Sequence, residues 1–210
     1  MSSRIVTAIE PYPKGKGYAV YINDEFAFVL YKGELSKYHL SAGDDIDDEQ
    51  YERISAALTL RAKKRGMNLL KTMDRTEADV RRRLSDGRYP AEAVDAAIEY
   101  LRSYHYLDDM RYSCEFIRFK SSRFGRKMIT AKLAEKGVSK SVIEAAFAKY
   151  DEESASTVEQ REEELISSLI SKRYPEGISE LDYAGRQKLY AFLYRKGFSP
   201  SAIDNVCSKL

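Results

Sequence analysis

Ten residues in the middle of the chain, RFKSSRFGRK (118–127), hold Arg118, Lys120, Arg123, Arg126 and Lys127 and no acid. Phe119 and Phe124 are interleaved with them. Cations at this density with aromatic rings between them suit an anionic partner, held by charge and by ring contact. Arg111 lies seven residues before Arg118, so a helix there puts both on one face. Lys132 extends the run on the other side. Arg111, Arg118, Lys120, Arg123, Arg126, Lys127 and Lys132 are therefore the candidate partner- or DNA-binding residues. At Gly125 the chain turns into a following helix, whose free N–H groups add to the positive field. The same residues also fit a solvated helical face with Phe119 turned into the core.

Other chemistry is thinly supplied. His39 and His105 are the two histidines and lie far apart, which does not suit a metal site or a Ser-His-Asp arrangement. Asp108 and Asp109 are adjacent, so their side chains diverge on a helix. Capping a helix that starts there, in line with its dipole, explains them. DDIDD at 44–48 lacks the spaced ligands and the glycine of a calcium loop. PKGKG at 13–17 leads into strand-like sequence rather than a helix, and there is no GxxxxGK[ST] phosphate loop. The expectation is a protein with no catalytic residues, no metal and no cofactor. A nuclease built on Asp108 and Asp109 is the enzymatic alternative, and magnesium-dependent strand cleavage would be its mark.

The elements that must position the cations announce themselves by repetition. LAEKGVSKSVIEAAF (133–147) is echoed by LYRKGFSPSAIDNVC (193–207) and more faintly by LSDGRYPAEAVDAAI (84–98). In the first two, Gly137 and Gly197 stop a helix in the left-handed conformation. Val138 and Phe198 fold back on Leu133 and Leu193. Ser139 and Ser199 cap the next helix, with Ile143 and Ile203 completing the staple. Pro200 suits a first helical turn. In the faint copy Arg88 stands at the glycine position, Gly87 is one residue early and Pro90 replaces the serine. A shifted stop is expected there, with Thr76 starting its first helix. A further helix precedes each pair. The first is roughly 59–73. The second begins at LDDMRYSCEFIRFK, with Tyr112, Phe116 and Phe119 as an apolar stripe. The third is VEQREEELISSLISKRY, with Leu165, Leu169 and Ile170 inward. Asp47, three residues before Gln50, starts a leading helix near Asp48 by a capping box.

Ahead of the helices, RIVTAIE, YAVYI and FAFVL alternate like strands, with Asn23-Asp24 as a tight turn. A unit this small must pack on something else. The fold class is mainly α: three tandem three-helix repeats in an extended arrangement, preceded by a small N-terminal hairpin or three-stranded unit. The boundaries are 1–46 for the β unit, 47–106 for the leading helix and first repeat, 107–150 for the second repeat and 151–210 for the third. DEESAST (151–157) is the linker candidate.

Composition agrees. The 210 residues are 43% hydrophobic and 32% charged, with 16 Tyr and no Trp. No apolar run spans a membrane, the N-terminus lacks a signal segment, and two isolated cysteines fit a reducing compartment. A cytoplasmic location is expected. The net charge of +2 conceals segregation: 17 Lys/Arg against 10 Asp/Glu over 61–127, but 3 against 10 over 151–182. A basic middle argues for an anionic partner, or for a charge-rich solvated surface.

YLDDMRYSCEFIRFK (106–120), FGRKMITAKLAEKGVSKSVIEAAF (124–147) and TEADVRRRL (76–84), in this order and spacing, resemble the RecX regulators of bacterial recombinase. The resemblance covers nearly the whole chain. It implies three three-helix repeats and a partner, the RecA nucleoprotein filament on single-stranded DNA, whose ATP hydrolysis and strand exchange the family generally restrains. Weak affinity for single- or double-stranded DNA and a monomeric state are also expected, and the family has no catalytic residues to transfer. Arg88, Pro90, Ser113 and the PEGISE insertion (175–180) depart from the family pattern. A helix-turn-helix protein acting directly on DNA is the alternative function. Against it, the helices after the turns, SVIEAAFAKY and SAIDNVCSKL, carry few base-reading side chains.

Overall fold

A computed structural model describes residues 3–13, 15–153 and 156–209. It divides into two compact units, one ending at Leu107 and one beginning at Asp108.

The first unit opens with an antiparallel sheet of β1 (Val6–Pro11), β2 (Gly17–Ile22) and β3 (Glu25–Tyr31), in that order. Asn23 (φ 51°) and Asp24 (φ 68°) both take the left-handed conformation that matches a two-residue hairpin to the twist of its strands. The Asn23 side chain locks the turn by accepting the Ile5 N–H at 3.0 Å. Val6, Val20, Phe28 and Leu30 point to one side and join Ile54, Leu58, Val80, Leu84, Ile98 and Leu101 in a single apolar core. Those partners come from α2 (Asp48–Thr72), α3 (Glu77–Asp86) and α4 (Ala91–Ser103), with the short α1 (Lys32–Lys37) leading out of the sheet.

The leading helix and the helix expected at 59–73 are one helix of 25 residues. No proline interrupts it, and its internal Gly66 lies where a Cβ would sit 2.6 Å from a Leu101 methyl. Asp47 caps it by accepting the Gln50 N–H at 2.6 Å. The expected capping box is half made, because the Gln50 amide donates instead to the Tyr38 carbonyl at 2.7 Å. Thr76 caps α3 through the Asp79 N–H, as the spacing predicts.

The second unit holds α5 (Asp109–Lys120), α6 (Arg126–Glu135), α7 (Lys140–Glu152), α8 (Val158–Arg173), α9 (Tyr183–Arg195) and α10 (Pro200–Cys207). Cys114, Ile117, Ile129, Leu133, Ile143 and Phe147 make one core. Ile166, Ile170, Leu189, Leu193, Phe198 and Ile203 make another. In α8 the fully buried position is Ile166, while the expected Leu165 and Leu169 are half-buried beside it. Of the linker candidate 151–157, Asp151 and Glu152 close α7 and Thr157 caps α8 in a capping box with Gln160, while residues 154 and 155 lie outside the described residues. Among the described residues no helix is long and apolar enough to cross a membrane.

The repeated joint is present three times with one hydrogen-bond pattern. Gly137 (φ 81°) donates to the Ala134 carbonyl, and Val138 donates to the Leu133 carbonyl at 3.1 Å. Gly197 (φ 92°) and Phe198 do the same to Tyr194 and Leu193. Ser139 and Ser199 accept the Val142 and Ala202 N–H groups. In the faint copy the stop is not shifted. Arg88 itself takes the left-handed conformation (φ 61°) while Gly87 stays right-handed (φ −74°). Tyr89 then reaches the Leu84 carbonyl at 3.4 Å, so hydrogen bonding and burial at the repeated spacing override the side chain's steric preference. His39 (φ 49°) and His105 (φ 55°) end α1 and α4 in the same way, a role for both histidines that the sequence reading did not anticipate.

Gly125 is required for a different reason. Its φ of −71° suits any residue, but a Cβ there would sit 2.5 Å from the Gly197 carbonyl oxygen. Its N–H donates to the Lys196 carbonyl at 2.9 Å. The start of α6 and the α9–α10 turn therefore touch backbone to backbone.

Three substitutions test these roles in chemical denaturation. Gly137→Val is expected to destabilise by on the order of 1–2 kcal/mol, whereas Arg88→Gly is expected to be neutral or stabilising by up to about 1 kcal/mol. Gly125→Ala is expected to lower the midpoint well beyond the control Gly33→Ala, where a Cβ meets nothing within 4 Å.

Candidate anion-binding surface

Asp108 starts α5 by accepting the Arg111 N–H at 2.9 Å, the capping role expected of it. The Asp109 carbonyl accepts the hydroxyl of fully buried Ser113 at 2.6 Å. The buried face of α5 is Ser113, Cys114 and Ile117, not the expected stripe. Tyr112 and Phe116 are half-buried, and Phe119 is 63% exposed. The core direction of α5 is set by where α7 packs on it, one residue out of step with the aromatic spacing. Phe119 is thus a surface ring, which removes the reading that placed it in the core.

Folding separates four of the seven candidate cations into two groups and leaves Arg111, Lys127 and Lys132 around them. The guanidinium of Arg118 bonds Glu115 at 2.7 Å and clasps both carboxylate oxygens of Glu153 at 2.7 and 2.9 Å. That hydrogen bond holds the Glu153 carboxyl below its usual range. Arg126 bonds Asp151 at 2.8 Å and lies 4.2 Å over the Phe147 ring. Asp151 also bonds Arg161, which stacks over Tyr150. The ten-residue window free of acids is therefore not free of them in space, because the end of α7 brings Asp151 and Glu153 to it. The signal for this was in the sequence. Three acids at the C-terminal end of a helix oppose its dipole and call for nearby cations.

Lys120 and Arg123 form the second group. The Lys120 ammonium lies 4.8 Å from the Phe119 ring and 5.8 Å from Phe116, and Arg123 lies 5.9 Å from Phe119. Among the described residues neither has an acid within ion-pair distance. Lys132 and Lys196 flank Phe124 at 5.5 and 4.8 Å. Lys127 is exposed and faces Glu162, and Arg111 is exposed on α5. Burial pushes the Glu162 carboxyl up, partly offset by the Ser199 N–H and by Lys127 and Arg126. The first N–H of the α6 joint is not free for an anion, since Gly125 donates to the Lys196 carbonyl. The turn of the neighbouring repeat covers the helix end that the sequence reading left open. What is left at the surface is a ring-and-cation cluster centred on Phe119, Lys120 and Arg123.

The sequence and the fold have known counterparts. Residues 62–101, 108–146 and 160–207 match, in order, the first, second and third three-helix domains of RecX. The chain is 26% identical over 214 residues to the regulatory protein RecX of Clostridium acetobutylicum, covering 100% of this chain and 98% of that one. It is 28% identical over 200 residues to that of Levilactobacillus brevis, covering 92% and 71%. A crystal structure of regulatory protein RecX shares the fold with a TM-score of 0.61 at 24% identity, over 100% of both chains. RecX from Lactobacillus salivarius does so at 0.59 and 22%, over 74% of this chain and 97% of that one. Three domain matches in sequence order, on helices joined by the same stop, lead to one conclusion: the chain belongs to the RecX family of regulatory proteins.

Proposed function

We propose that this protein is a cytoplasmic, non-enzymatic regulator that binds the RecA filament on single-stranded DNA as a monomer and restrains its ATP hydrolysis and strand exchange. RecA regulation and recombination fit the RecX family, and the curated relatives bear the name regulatory protein. The observation that carries the reading to this chain is the exposed Phe119 bracketed by Lys120 and Arg123, with no acid among the described residues committed to either cation. Such a surface attracts an anionic partner and still offers apolar contact. In this reading Arg118 and Arg126 act mainly by holding α5, α6 and α7 together. Arg111, Lys127 and Lys132 widen the positive rim.

The helix-turn-helix alternative is less well supported. The helices following the joints spend Ile143, Ala146 and Phe147, and Ala202, Ile203 and Val206, on their own cores. The faces left outside carry mixed charge, including the Lys140–Glu144 pair.

The reading is tested by DNA-dependent ATP hydrolysis of RecA titrated with this protein. Inhibition is expected, and the double variant Lys120→Glu/Arg123→Glu is expected to raise the half-inhibitory concentration roughly tenfold or more. Arg118→Gln is expected to act chiefly on stability. Full inhibition by the double variant would remove the patch from the interface. If Lys120, Arg123 and Lys132 meet phosphates directly, they should contribute about −2 to the logarithmic salt slope of single-stranded DNA binding. A flat response would exclude direct phosphate contact there.

A further inference from the structure

A second cationic surface lies on α9, outside every candidate residue named from the sequence. From Tyr183 to Ile203 the chain has Arg186, Lys188, Arg195 and Lys196 and no Asp or Glu. In the folded unit α9 buries Leu189 and Leu193. At about 100° per residue, Tyr183, Gln187, Tyr190 and Tyr194 fall in one line along the helix. Lys188 and Arg195, seven apart, form a second line beside it. Tyr183 is 80% exposed and Tyr194 58% exposed, while Tyr190 is half-buried near Cys207 and Asp204. Among the described residues neither Lys188 nor Arg195 has an acidic side chain within ion-pair distance. Asp182, at the start of the helix, is committed to capping the Gly185 N–H at 2.7 Å. The contrast with α5 is direct, since there the acids of α7 neutralise two of the arginines. On α9, among the described residues, Asp204 comes near Tyr190 but no acid pairs with Lys188 or Arg195.

We propose that the exposed face of α9 is a contact for single-stranded nucleic acid, with Tyr183 and Tyr194 stacking on bases and Lys188 and Arg195 meeting phosphates. Along α9 itself the charge is of one sign, although the exposed Asp204 of α10 lies near Tyr190, and the excess of cations selects a polyanion. The rings select among polyanions. A single strand offers unstacked base faces for tyrosine, whereas a duplex keeps them in its own stack and an acidic peptide has none. The row from Tyr183 to Tyr194 is about 16 Å long, enough for a short run of nucleotides rather than one group. At its C-terminal end Lys196 reaches the Phe124 ring, so α9 adjoins the surface around Arg123. This contact goes beyond the proposed regulation of RecA. It is tested without RecA, so that its failure leaves that proposal standing.

The experiment is fluorescence anisotropy of a labelled oligo(dT) single strand with the full-length protein, and of a duplex of equal length. Tyr183→Ala/Tyr194→Ala is expected to weaken single-strand binding roughly tenfold or more, while Tyr183→Phe/Tyr194→Phe retains it. Lys188→Ala/Arg195→Ala is expected to make the logarithmic salt slope shallower by about 1.4. All of these positions are on the surface, so circular dichroism should show unchanged melting. Equal affinity of the alanine pairs and the unaltered protein would overturn the proposal. So would competition by poly-glutamate as strong as that by unlabelled oligo(dT), which would make the occupant an acidic polypeptide.

Discussion

A single residue in the left-handed conformation governs how each helical pair is built. A helix that must end and give way to a partner packed against it has two residues in which to reverse. The left-handed residue turns the next one back over the last helical turn, and an apolar side chain there covers the end of one helix and the start of the next. Tyr89, Val138 and Phe198 occupy that position in the three pairs. Glycine serves the stop best because it carries no Cβ penalty, yet Arg88, His39 and His105 also serve it. The repetition therefore lies in the backbone path, and the residue at the stop is the default solution rather than the rule. Gly197 has a second duty, since a Cβ on it would meet the Met128 nitrogen at 2.4 Å. The residue that ends α9 also allows α6 to begin against it.

Charge is organised by the same contacts. Where α7 packs on α5, the acids at its end reach the arginines, and Asp151 serves both Arg126 and Arg161. Each of these pairs is partly exposed and contributes little stability alone. Their larger effect is selective: they commit some cations to holding helices and leave others without an acidic partner among the described residues. Lys120 and Arg123 lie beyond the reach of the α7 acids, on the side of α5 where Phe119 is also exposed.

Much of the architecture was legible in the sequence because it rests on local rules. The glycines at 137 and 197, the serine caps, the Asp108 and Thr76 helix starts and the Asn23-Asp24 hairpin are each settled within about six residues. Misreadings arose where a distant element decided. Arg88 adopts an unfavourable conformation because Tyr89 has a core to enter. The Gln50 amide turns to Tyr38 because α1 is beside it. The core face of α5 is Ser113, Cys114 and Ile117 because α7 packs there, and aromatic spacing alone could not reveal that direction.

The sequence by itself determined that the chain is mainly helical, that a helical pair recurs three times behind a small sheet, and that its middle is rich in cations. Periodicity, caps and turn residues act over a few residues and need no partner to be read. Only the tertiary structure decided which cations are neutralised, which aromatic rings face solvent and which helix ends are covered. Those outcomes depend on side chains some 25 to 35 residues apart, as Arg118 is from Glu153 and Arg126 from Asp151. Electrostatic and steric contacts act through space, so they take effect only once the helices are packed.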